Sequence, residues 1–477
     1  MFSSLAQASL SPSEMTEAKN SIRDKIRASA GISTFEANRE KLENLIDVKE
    51  LAFTNGVLIR TLSEIDARSF QTGHLASDVW SGSIWHQYLG LTAMRYMWPE
   101  AAHADSWQEA WAFASRPGQS FFDIAMGGTD EERDNLGPAE KYDLLVGSSE
   151  NDKKGILSKY EWAQGADSLQ RYGKVPKWFG YCHGWAAASF SLPRPESTVE
   201  VPSADGTQMI RFYPHDLKAL ATVLWANALP PVRLIGTRCQ TPKPLPHDKD
   251  GRIVDPTCQG VSPGTFHLAL VNQIQGAHRV LLMDADYDIQ VWNQPIVAYS
   301  YKYFNPETKK RGDKFAQSVI AIEQFSKDKF KKYRSKDARQ IVGVEMQVEY
   351  GQGTKPNHNP LDSRRFDQTR KATYKYDLEL DASGEVIGGE WYQVRHPGFL
   401  WAVPQGTIAV SDFESQAKGD WDPSQPVPVA WTLAAEKAGE KGQPLAKVVQ
   451  KLIELSRRPH LETFRLSGRA VPSDRAN

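Results

Sequence analysis

The sequence predicts an α+β protein: an α-helical N-terminal region, then a core in which a cysteine-bearing helix faces an antiparallel sheet. Three observations predict it. Helix-start signals and tryptophans fill the first quarter of the chain. A run of small residues led by Cys182, through Gly184 and Ala186-Ala187-Ala188-Ser189, favours helix with the cysteine at its start. After residue 265 the apolar residues fall into alternating or short runs separated by turns, the pattern of strands.

Taken in order, residues 12–51 read as helix. Ser11 is a good N-cap, Pro12 suits the first helical position, and Glu14 stands three residues on. Ser33 and Glu36 repeat the capping pattern, and Leu42, Leu45, Ile46 and Val48 keep roughly helical spacing. Residues 60–125 read as helical and aromatic, with Trp80, Trp85, Trp98, Trp107 and Trp111 as packing groups. Residues 1–135 form this N-terminal region, 136–405 the core, and 406–477 a C-terminal extension with one helix. Within the core, Leu217 to Trp225 predicts a helix entered at Pro214, with His215 and Asp216 in capping positions. Residues 239–264 are turn-rich, with prolines at 242, 244 and 246. Residues 265–305 predict strands, His267 on the first and a turn near Gly276 leading to Val280–Met283. Val342 to Tyr350 and Tyr374 to Leu380 predict two more, the second closing at the turn Asp381–Gly384. Leu445 to Leu455 predicts an amphipathic helix, and Val471–Asn477 a frayed tail.

Composition excludes several function classes. The 477 residues are 40% hydrophobic and 24% charged, enough for a large core. A formal net charge of −1 gives no support to a nucleic-acid groove or an anionic membrane surface. No apolar run is long enough to span a bilayer. Residues 1–20 carry no signal-peptide pattern. The acidic run Asp284-Ala285-Asp286-Tyr287-Asp288 begins like a calcium loop but has Ile289 where Gly is needed and Pro295 where Glu is needed. Neither a metal nor a cofactor is expected.

Cys182 follows Trp178-Phe179-Gly180-Tyr181, an aromatic loop with a glycine for close approach. At a helix start, free backbone N–H groups and the helix dipole favour a thiolate, the reactive form. The segment Trp178 to Ala186 resembles the active-site segment of the transglutaminase elicitor family, oomycete transglutaminases with bacterial relatives. Further stretches match in order: Gly137–Asp143, Phe212–Leu220, Ser262–His267, Val291–Pro295 and Ile387–Trp391, the last followed by His396-Pro397 and Phe399–Trp401. The resemblance spans roughly residues 137 to 404. It implies a papain-like or transglutaminase-like core. It also implies that Cys239 and Cys258 pair across the turn-rich loop, which would favour a secreted or periplasmic location.

Acyl transfer from an amide needs a nucleophile, a base and a group that orients the base. Cys182 is the expected nucleophile and His267, 85 positions on, the expected base. His183, one helix step from the thiol, points away and is read as structural. The orienting acid is expected on the strand beside His267. Asp284 is favoured by its place after Val280–Met283 and by the family's Met-Asp position. Asp286 stays open because hairpin register is unreadable, Asp288 would share its face, and Asn293 is a weaker candidate. The Cys182 N–H is one expected oxyanion donor, with Trp178 or Gln164 as the second. Gly388, Gly389, Glu390 and Trp391 read as turn glycines and a packed tryptophan.

The resemblance implies a protein-glutamine γ-glutamyltransferase, joining Gln carboxamides to Lys or other primary amines through a Cys thioester. Its partners would be proteins with accessible Gln and Lys, and small amines. The residues alone serve hydrolysis equally, so a cysteine protease, an amidase or a glutamine deamidase is the alternative. A recognition protein with catalysis secondary is a second, against which the intact Cys182, His267 and Asp284 count.

Overall fold

The computed structural model describes residues 58–75, 79–148, 155–230, 232 and 234–458. The capping-box helices expected within 12–51 and the tail 471–477 lie outside the described residues.

The fold is α+β. The strands are β1 (Thr72–His74), β2 (Val199–Pro202), β3 (Met209–Phe212), β4 (Leu234–Gly236), β5 (Leu281–Asp284), β6 (Asn293–Phe304), β7 (Arg311–Gly312), β8 (Ile320–Ala321), β9 (Gln340–Gln352), β10 (Gln368–Leu380), β11 (Val386–Gly388) and β12 (Phe399–Trp401). Among the described residues β2 and β3 form a separate ribbon. The other ten make one sheet with the path β11-β10-β9-β6-β5-β12-β4, and β1, β7 and β8 add at its edges. Its pairings are antiparallel.

Side chains alternate between the two faces of a strand, and here the faces meet different cores. On β5, Leu282 joins a helical core, while Leu281 and Met283 join a second core. On β12, Phe399 and Trp401 face the helical core and Leu400 the second. On β9 and β10, Val342, Val344, Met346, Tyr374 and Tyr376 all go to the second core.

The helical core is built around the helix Cys182–Ser191 and the helix Pro214–Asn227. Gly184 lets them close: a Cβ there would lie 2.3 Å from the Thr222 carbonyl oxygen. Asp216 caps the second helix by accepting the Tyr213 N–H at 2.9 Å, as its position predicts. The same carboxylate also takes a buried ion pair from Lys141 at 2.7 Å and the Tyr96 hydroxyl at 2.6 Å. Residues from all three expected parts of the chain share this core, among them Trp80, Trp185 and Leu452.

Two expectations are corrected. Residues 263–270 are helix rather than strand, and the chain continues as a π-helical turn over Val271–Gly276. All eight residues of Pro263–Leu270 are buried, so the apolar run carries no periodicity to separate a buried helix from a strand. Pro263 at the first helical position was the usable signal. The region 60–125 is less helical than expected. Its helices are short, and residues 79–85 are irregular, with Tyr181 N–H donating to the Ile84 carbonyl at 2.7 Å and Gln87 N–H to the Phe179 carbonyl at 2.9 Å. The tryptophans there hold the core through irregular backbone: Trp80 and Trp85 are almost fully buried. The helices expected at 217–225 and 445–455 are present as Pro214–Asn227 and Ala446–Ser456, and the C-terminal part, expected to carry one helix, has a second at Val429–Gly439.

Candidate active site

Cys182 opens its helix, with Tyr181 at the N-cap and six of the next seven residues buried. No side chain caps this end, so the first N–H groups are open to a ligand. Gly180 permits the approach of the 84–87 segment, since a Cβ would lie 2.6 Å from the Ile84 carbonyl oxygen. The thiol is buried and points at the start of β6. Asn293 Nδ2 lies 3.6 Å from Sγ, and the thiol faces the Val291 carbonyl at 3.7 Å. Asn293 is itself oriented: its Oδ1 accepts the Trp401 Nε1–H at 2.8 Å. Burial pushes the Cys182 thiol up, and the nearby Asp284 charge adds to that. The Asn293 backbone and side-chain N–H groups and the His183 N–H pull the other way.

Asp284 ends β5, with Asn293 as its register partner on β6. It follows Leu282 on the face toward the helical core, the face that carries Cys182. Its Oδ1 accepts the Trp292 N–H at 2.8 Å and the Asp286 N–H at 3.3 Å. Gly398 crosses close above it: a Cβ there would be 2.7 Å from Oδ2. Burial raises its pKa to about 8 despite these donors and the positive charge of Arg238. Arg238 feels both Asp284 and Cys182. A cavity of about 350 Å³ opens onto the thiol, walled by Trp178, Tyr181, Trp225, Phe399, Trp401 and Arg238. Gln164 and His183 also line it.

The structure sets Asp284 near enough to Cys182 for its charge to be felt at the thiol, with Asn293 next to both, and does not bring His267 to them. His267 rides on the Pro263–Leu270 helix, whose Phe266, Leu268 and Ala269 sit in the second core, across the sheet from Cys182. Its Nδ1 bonds the Tyr376 hydroxyl at 2.9 Å, and its ring meets Tyr301 edge-on at 4.7 Å. Its Nε2 has no partner among the described residues. Burial holds its pKa down at about 3, so the imidazole is neutral. The expected Cys-facing strand histidine is therefore not the arrangement present.

The other candidates separate as well. β5 stops at Asp284, so Asp286 and Asp288 lie in the following turn rather than along one strand face. Both pair with Lys243, at 3.0 and 3.3 Å. His183 lines the same cavity as the thiol, and burial holds its pKa low. Trp391 is a packing group, stacked on His396 and edge-on to Phe266 and Tyr376, with its Nε1–H on the Val261 carbonyl. Arg238 and Trp401 were missed as site residues. Trp401 stood within a family-matching stretch, while Arg238 had no sequence signal beyond its place before Cys239. Cys239 and Cys258 are joined as a disulfide. Among the described residues no three His, Cys, Asp or Glu side chains converge as a metal site requires. No described helix is long and apolar enough to cross a membrane.

The sequence model of the family described as "Transglutaminase elicitor" matches residues 52–413. The chain belongs to the transglutaminase elicitor family. Membership indicates a transglutaminase-type function. Among solved structures the chain is similar to that of the GP42 transglutaminase from Phytophthora sojae. The two are 19% identical, with 84% of this chain and 99% of that chain covered and a TM-score of 0.49. No curated protein matches the chain. Within this transglutaminase elicitor chain, the matched region covers Cys182, Asp284, Asn293 and Trp401 alike.

Proposed function

We propose that the protein is a protein-glutamine γ-glutamyltransferase in which Cys182 is the nucleophile and Asp284 its proton partner. One observation carries the reading: a thiol at an open helix N-terminus, held by Asn293, beside a buried carboxyl poised to titrate near pH 8. Asp284 replaces the expected histidine as base, and Asn293 with Trp401 supplies the orienting part. In the first half-reaction Asp284 carboxylate takes the Sγ proton as sulfur attacks the γ-carboxamide carbon of a Gln. Collapse of the adduct breaks the C–N bond, and Asp284 returns the proton to nitrogen, releasing ammonia. In the second, an amine attacks the thioester, its proton passes to Asp284, the C–S bond breaks with an isopeptide bond formed, and Asp284 returns the proton to the departing sulfur.

The Cys182 N–H, the first of its helix, is placed to receive the oxyanion, with Gln164 or Trp178 as second donor from the cavity wall. The aromatic lining supports transfer over hydrolysis by limiting water around the thioester. Water as acceptor would make the same machinery a deamidase. The test is incorporation of a fluorescent primary amine into a Gln-containing protein, followed by mass spectrometry for the ammonia-loss adduct. Deamidation without incorporation would reject the transferase reading.

A further inference from the structure

A second cavity, of about 700 Å³, lies beside the candidate active site and has a different character. The two share a wall. Along the stretch before and into β6, Val291 and Asn293 face the thiol cavity, while Trp292 and Gln294 face the second. The 84–88 segment does the same, with Gln87 on one side and His86 and Tyr88 on the other. Asp284 couples them, since the two N–H groups it accepts belong to Trp292 and Asp286, both lining the second cavity.

Arg370, Arg395 and Lys355 line this cavity. All three are exposed, and no ion pair holds any of them among the described residues. The one lining carboxylate, Asp286, is already engaged by Lys243 at 3.0 Å. Both arginines lie near enough to Tyr350 for their charges to be felt at its hydroxyl. Lys355, Arg370 and Arg395 thus present three cations to the cavity against one carboxylate that is already engaged. Three left open around one concavity form a site for negative charge. Arginine's planar fork selects carboxylate or phosphate oxygens. Trp292, Tyr88 and Tyr350 add flat apolar surface for an extended chain.

We infer that this second cavity is a docking groove for an acidic stretch of the protein substrate, holding Asp or Glu residues on Arg370 and Arg395 while a neighbouring side chain enters the thiol cavity. The inference names the substrate class of the site proposed above and rests on that reading. A nucleic acid is the less fitting occupant, because the positive residues form a pocket beside Trp292 rather than a stripe that could track a backbone.

The test uses the full chain carrying Cys182→Ala, so that binding is read without turnover. A fluorescein-labelled peptide with one Gln flanked by four Glu is titrated by anisotropy, beside a counterpart with those Glu replaced by Ser. The acidic peptide should bind about tenfold tighter at low salt, and the preference should shrink as salt rises. Arg370→Glu with Arg395→Glu should erase the preference. Circular dichroism checks the fold, and Arg370→Gln with Arg395→Gln gives the same reading if charge reversal perturbs it. Equal affinity for the two peptides, or a preference that survives both variants, overturns the inference. So does a single-stranded oligonucleotide of equal charge binding as tightly as the acidic peptide. Failure of the wild-type protein to incorporate amine would sink the transferase reading while an acidic preference would still stand.

Discussion

Two neighbourhoods perturbed by burial flank one sheet, one around Cys182 and Asp284 and one around His267, and they are built for opposite ends. On one face, Cys182 lines a cavity open to ligand, Asp284 lies buried with its charge felt at the thiol, and polar donors are spent on the sulfur and the carboxyl. On the other, His267 is sealed among Phe266, Tyr301 and Tyr376, with one ring nitrogen bonded and the other left bare. Both groups are strongly perturbed by burial, the carboxyl upward and the imidazole downward. A perturbed pKa marks a functional site only where the group can reach a reactant. The difference between the faces is access.

The comparison is broken most directly by Cys182→Ala. Amine incorporation should fall by at least about three orders of magnitude with the circular dichroism spectrum unchanged. Residual activity near wild type would remove the helix-start thiol from the chemistry.

Next in size is the pair Asp284→Asn and His267→Phe, one on each face. Asp284→Asn should lower turnover by roughly two orders of magnitude, as loss of a catalytic carboxylate does. His267→Phe should leave turnover per folded molecule within about threefold and lower stability by about 1–2 kcal/mol, through the partner lost by Tyr376. A folded but inactive His267→Phe protein would mean that the histidine reaches Cys182 in another conformation, and the two-face picture would fail.

The same pair carries opposite pH signatures. Asp284 binds its proton more tightly folded than unfolded, so its contribution to stability is present at low pH and lost as pH rises from about 4 toward about 8. His267 binds its proton less tightly folded, so its contribution is present above pH 6.5 and lost as pH falls toward about 3. Denaturant midpoints against pH should therefore show Asp284→Asn gaining on wild type toward pH 8. His267→Phe should gain toward pH 4. Matching profiles for the two variants would contradict the burial of one or both groups.

Asn293→Ala should cost about tenfold in turnover, by freeing the sulfur from its side-chain donor. Trp401→Phe keeps an aromatic wall on the cavity but removes the indole bond that orients Asn293, and should cost a few-fold. A Trp401→Phe loss larger than that of Asn293→Ala would give the indole its own role at the thiol. The smallest effect on catalysis is expected from Cys239→Ser with Cys258→Ser. That change should lower stability by about 3 kcal/mol by the loop-entropy relation. Its effect on turnover would come only through the adjoining Arg238.

Much of this was legible in the chain, and the rest has identifiable reasons. Small residues after Cys182 and the 3–4 spacing of Leu217, Leu220 and Leu224 marked two buried helices. Apolar and aromatic residues at every second position, Val342, Val344 and Met346 on β9 and Tyr374, Tyr376 and Leu378 on β10, marked these two strands. The Pro263–Leu270 helix was misread because a segment buried all round has no face to alternate. That one error moved the histidine to the wrong side of the sheet. The placement of Asp284 beside Cys182 depends on β5 pairing with β12 as well as β6, and on β12 reaching β4. Pairings between segments more than a hundred residues apart leave no local pattern. Asn293 and Trp401 each lay in a recognisable stretch, but their bond is a tertiary fact.

The thiol's surroundings come from Ile84, Tyr181, Arg238, Asp284, Asn293 and Trp401, positions spread across more than three hundred residues. A ribosome delivers them in that order, with Trp401 last. Until β12 docks between β5 and β4, Asn293 has no indole to orient it and the cavity lacks a wall. A nascent chain thus carries Cys182 as an ordinary thiol, and its reactive surroundings are assembled only with the finished sheet. On the transferase reading proposed above, completion of the fold would itself be the safeguard against cross-linking during synthesis.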